Sequence, residues 1–150
     1  MSFGRFDLNT LGLANRHELP LFAIIGVRPR DRDPIFRYIG PGHGRWAGRN
    51  YEFKGVGEKV ENLADKDYGE WVAGFYRSIV DSGQPHYDLV TAAMGSADDP
   101  AEPLRTVRYQ RLLLPWKTPS DEVFVTSCSK RIEEDGSANF AADEDSSVIE

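Results

Sequence analysis

Cysteine is nearly missing from this 150-residue chain: Cys128 stands alone. That excludes an internal disulfide framework and a cysteine-built zinc site, and it fits a reducing, cytoplasmic setting. Long apolar runs are missing as well. No stretch reaches the roughly eighteen apolar residues of a membrane helix, and the first thirty lack the basic-then-apolar order of a secretory leader, so a soluble, unexported chain is expected. A clustered basic face is also absent. The arginines lie scattered among acids, as between Arg28 and Asp33, which argues against nucleic acid as a partner because phosphates demand concentrated positive charge.

The motifs that announce common chemistries are absent too. There is no G-x-S-x-G nucleophile elbow, Walker loop or calcium loop. Gly42 to Ala47 spells a G-x-G-x-x-A dinucleotide fingerprint, but Gly48, Gly55 and Gly57 interrupt the helix that must follow it, so a strand-to-helix turn is the better reading. His17, His43 and His86 have no ligand-type partner at helical spacing; turn or surface roles fit them better than metal or haem ligation. Cys128 alternates with Phe124, Thr126 and Lys130 on a predicted strand and reads as a half-buried small side chain.

What the chain does have is enough apolar content, 40%, for one core. Its formal charge of -6 comes from one end: residues 133–150 hold seven acids and no Lys or Arg, which leaves the body near neutral. Residues 133–150 are therefore expected to be a disordered acidic tail. Residues 1–18 form an N-terminal segment in which Phe6, Leu8, Leu11 and Leu13 fit one side of a short helix from near Asp7. Residues 19–132 are left as the folded domain.

Within that domain Leu19 to Val27 and Ile35 to Ile39 read as two strands of a hairpin, followed by a glycine-dense irregular stretch. A long helix comes next. Asp67 and Glu70 fit a capping box, Tyr68, Trp71, Val72, Phe75, Tyr76, Ile79 and Val80 share one face, and Gly83 with Pro85 ends it. Gly69 and Gly74 cost the helix about 1 kcal/mol each, which the burial of several large side chains outweighs. Three more strands follow: His86 to Met94, Leu104 to Trp116 and Val123 to Ile132, with turn-rich links that make them an antiparallel meander.

Aromatic residues cluster suggestively in this order. Tyr38, Trp46, Trp71, Phe75 and Tyr109 are expected to line a ligand pocket between helix and sheet, with Arg111 or Gln110 as its polar contact. The competing reading is that the rings simply fill the core.

Three passages, Phe36 to Gly40, Phe75 to Pro85 and the run Tyr109-Gln110-Arg111-Leu112-Leu113-Leu114-Pro115, resemble a PAS-like group of alphaproteobacterial proteins. The resemblance implies an α+β fold: a five-stranded antiparallel sheet in the order 2-1-5-4-3 with helices over one face. It also implies a sensory or protein-interaction module of bacterial signalling, non-catalytic, that takes a small ligand or a partner such as a second copy of itself. The flavin-binding Asn-Cys-Arg-Phe-Leu-Gln signature of photosensors is missing, so no cofactor is named. The rival from another class is a small isomerase or dehydratase of the ketosteroid isomerase type. That chemistry requires a carboxylate with a raised pKa inside the pocket, beside a Tyr or His.

Overall fold

The computed structural model describes residues 4–5, 21–43 and 47–132. Residues 6–20 with their proposed short helix, the acidic stretch 133–150 and Trp46 lie outside the described residues. Among the described residues there are six strands: β1 (Gly4–Arg5), β2 (Phe22–Val27), β3 (Pro34–Ile39), β4 (His86–Met94), β5 (Arg105–Lys117) and β6 (Val123–Arg131). Five of them form an antiparallel sheet in the order β3-β2-β6-β5-β4, which is the 2-1-5-4-3 order of a PAS-like α+β fold. The two-residue β1 adds a parallel pair to the far end of β5, at Trp116 and Lys117.

The crossover from β3 to β4 contains a short 3-10 turn, Pro41–His43, the one-turn helix α1 (Tyr51–Lys54), a second 3-10 turn, Val60–Asn62, and the long helix α2 (Lys66–Ser82). Residues 57–59 run beside β3, where Gly57 N donates to Phe36 O and Phe36 N donates to Glu58 O. That pairing covers one sheet edge. On the other edge, among the described residues, β4 pairs only with β5.

The start of α2 differs from the capping box expected at Asp67. Asp65 is the cap, its carboxylate accepting from the Tyr68 backbone N–H at 3.0 Å, and Asp67 already lies inside the first turn. Two acids spaced by one residue compete for this role, and extended backbone at Asp65 decides it because a cap must precede helical dihedrals. The other end is as expected: Gly83 adopts φ 63° and its N–H returns to Ile79 O.

The buried face of α2 keeps Val72, Tyr76 and Ile79 of the expected stripe and differs from it at Trp71. Gly69, Val72, Ala73, Tyr76 and Ile79 are buried, whereas Trp71 is 41% exposed. Gly69 is the reason. A Cβ there would meet Val60 O at 3.0 Å, so the absence of a side chain lets α2 sit close against the second 3-10 turn, and the helix turns its small residues inward. Its glycine is thus a contact surface as well as a propensity cost.

The core between α2 and the sheet holds Ala23, Ile25, Val27, Phe36, Ile39, Leu113 and Val125 with Val72, Ala73, Tyr76 and Ile79. Phe36 and Ile39 are three apart on one strand yet both face inward, because a bulge between Ile24 and Ile25 of the partner register resets the alternation at Arg37.

Candidate functional site

Register brings the site together. In the β4–β5 pair His86 lies opposite Leu113, Asp88 opposite Arg111 and Val90 opposite Tyr109, so period-two alternation puts His86, Asp88, Tyr109 and Arg111 on the helix-facing side. From α2, Tyr68, Trp71, Phe75 and Tyr76 come down onto that corner at helical spacing.

Arg111 is the centre. It is 2% exposed, and its Nε and Nη2 donate to the two oxygens of Asp88 at 3.1 and 2.7 Å. Its guanidinium carbon lies 4.6 Å from the Phe75 ring centroid and 5.1 Å from that of Trp71, within cation–π range of both. The rings of Trp71 and Phe75 pack edge to face at 4.9 Å, and Phe75 continues to His86 at 5.6 Å. His86 Nε2 is 3.1 Å from Asp88 Oδ2.

Hydroxyls line the inner side of this arrangement. Tyr68 and Tyr109 share a hydrogen bond of 2.8 Å between their phenol oxygens, and buried Tyr76 is hydrogen-bonded to Ser127 of β6. Burial pushes the Tyr76 phenol up to about 12, and burial together with the neighbouring tyrosine holds Tyr68 well above its ordinary value. The phenols stay protonated and available as donors. At Asp88 burial works against ionisation, but the bonds and charge of Arg111 and the contact with His86 outweigh it, and its pKa is lowered.

An open cleft of about 550 Å³ lies beside this cluster, lined by Asp65, Asp67, Tyr68, Trp71, Thr91, Ala92, Ala93 and Leu104. Tyr68 and Trp71 form the wall between the cleft and the buried Arg111–Tyr109 layer.

Of the residues expected to bind a ligand, Trp71, Phe75, Tyr109 and Arg111 come together here. Tyr38 does not: it pairs with Ile24 and packs against Phe22 at 6.0 Å between centroids, on the sheet face away from α2. Trp46 lies outside the described residues. Gln110 alternates away from Arg111 and points to the opposite face. Asp88, His86, Tyr68 and Tyr76 belong to the cluster and were not singled out as ligand contacts by sequence. Their signal was the placement of His86 and Asp88 two apart on one strand, which becomes informative only with the partner strand's register.

His43 lies elsewhere, in the turn after β3, with Nε2 buried and without a hydrogen-bond partner. Cys128 is half-buried and burial pushes its thiol up, the reverse of a reactive thiolate. Among the described residues no group of His, Cys, Asp and Glu side chains is arranged to hold a metal ion, and no helix is long and apolar enough to cross a membrane.

No protein-family model matches this chain and no curated protein does. Among solved structures, a domain of an HTR-like protein from Haloarcula marismortui ATCC 43049 superposes with a TM-score of 0.52 at 15% identity, covering 75% of this chain and 98% of that one. At that identity the likeness is one of fold, and it agrees with the PAS-like strand order described above.

Proposed function

We propose that this chain is a PAS-like sensory or protein-interaction module in bacterial signalling, acting without catalysis. A small ligand in the layer between α2 and β4–β5, or a partner on the sheet, shifts the packing of that helix against that edge. The carrying observation is the buried Arg111–Asp88 pair beneath Trp71 and Phe75, because it fastens helix and edge strands through a few directional contacts. Contacts of that kind exist in discrete arrangements, and a ligand that alters one alters the helix position. The fold likeness to a domain of an HTR-like protein supports the architecture on which this reading rests. So does the run from Tyr109 to Pro115, the passage by which the chain resembles the alphaproteobacterial PAS-like group.

The isomerase reading fits less well. Asp88 is the carboxylate beside a histidine in this layer, and its pKa is lowered where that chemistry needs it raised. Native mass spectrometry of the full chain purified from its own host tests the proposal, since one spectrum reports retained small molecules and subunit number. A stoichiometric small molecule or a second subunit supports it; a bare monomer, together with turnover of a ketosteroid-type substrate, overturns it.

A further inference from the structure

Donors and acceptors do not balance around Arg111. Asp88 accepts from Nε and Nη2 and also faces His86, whereas Nη1 is buried with no hydrogen-bond partner. Two phenols share one bond between Tyr68 and Tyr109, which leaves one phenolic proton over. Asp88 is the carboxylate of this layer, and its oxygens are engaged. A buried N–H of a guanidinium left without an acceptor is costly, and such a group ordinarily marks the place of a water or a ligand atom.

Resting on the ligand-sensing reading above, we infer that the layer behind Trp71 binds a small, planar, uncharged molecule through a carbonyl oxygen that accepts from Arg111 Nη1. The charge pattern selects the neutral acceptor. Arg111 is already neutralised by Asp88, and Asp65 and Asp67 stand at the cleft, so a carboxylate meets repulsion on entry and leaves an uncompensated charge inside. The aromatic wall selects a planar body. Trp71 is 41% exposed, and its ring separates the cleft from the guanidinium, so turning it outward joins the two in exchange for its contacts with Phe75 and Arg111, which a planar ligand replaces.

Acetophenone, its oxygen-free analogue ethylbenzene, and benzoate provide the test, titrated into the full chain while the Arg111 Nε–Hε and Trp71 indole N–H signals are followed by NMR. Acetophenone is expected to shift both signals saturably, with ethylbenzene and benzoate weaker by about tenfold or more. Arg111→Lys, shown to be folded by circular dichroism, is expected to abolish the preference for acetophenone; where it fails to fold, the comparison on the unaltered chain decides alone. Ethylbenzene or benzoate matching acetophenone overturns the carbonyl inference while leaving a ligand site behind Trp71. Silence from all three probes up to about 10 mM overturns the inference, with a tightly held water at Nη1 as the remaining account, and retained ligand in the native mass spectrum then judges the sensory reading separately.

Discussion

Arg111 and Asp88 face each other from directly opposed positions of β5 and β4, joined by two hydrogen bonds of 3.1 and 2.7 Å. The pair is asymmetric: Arg111 is 2% exposed and the Asp88 side chain 21%, so the arginine depends on the aspartate far more than the reverse. Removing the carboxylate strands a charge in the interior.

Asp88→Ala is therefore expected to destabilise the chain by about 3–5 kcal/mol, the range for breaking a buried ion pair from one side. Replacing both residues, as in Asp88→Leu with Arg111→Met, is expected to cost much less, because no charge is left unpaired. Urea denaturation of the single and double variants measures the difference; equal losses would show that the pair contributes through packing alone.

Stability is expected to fall with acidification well before the carboxylates titrate, and His43 is the reason. Burial, partly offset by its hydrogen bond to the Phe22 carbonyl, pushes the imidazole from 6.5 down to about 4. Below the unfolded value the unfolded chain takes up a proton that the folded chain refuses, so stability is full above it and declines as pH falls through that window, by roughly 3 kcal/mol in all. His43→Gln should flatten the stability profile between neutral pH and about pH 5. An unchanged slope in that variant would assign the acid sensitivity to other groups.

Asp65→Ala is expected to cost about 1 kcal/mol, the usual loss of a helix cap, while Asp67→Ala changes stability by less than about 0.5 kcal/mol. Thermal denaturation followed by far-ultraviolet circular dichroism ranks the two. The reverse order would restore the capping box at Asp67.

Gly83→Ala is expected to destabilise by about 1 kcal/mol, since the residue sits at φ 63° where a Cβ meets the following carbonyl. Gly83→Asn should lose less, because asparagine tolerates the left-handed region. Chemical denaturation of both variants beside the parent measures the contrast.

Local pattern was enough for the elements. Alternation and turn chemistry placed β4 at His86–Met94, and Gly83 with Pro85 ended α2, because both signals act within a few residues of where they are read. The face of α2 was less accessible. Hydrophobicity put Trp71 and Phe75 on one inward stripe with Val72, Tyr76 and Ile79, but Gly69 and Ala73 allow closer approach and leave Trp71 at the rim, and close approach is a property of two surfaces.

The binding corner belongs to tertiary structure in the same way. Strands β4 and β5 were both foreseeable, as was Arg111 or Gln110 as a polar contact, but the choice between them hangs on hairpin register. Closing the turn so that Met94 met Leu104 in place of Arg105 would set Asp88 against Gln110 and turn Arg111 to the opposite face. Residue order settles which segments extend, which coil and where each stops, since those preferences are satisfied by near neighbours. Which aspartate meets which arginine is settled only when α2 and the sheet exclude water together, because only then does a one-residue slip expose the core and strand a charge.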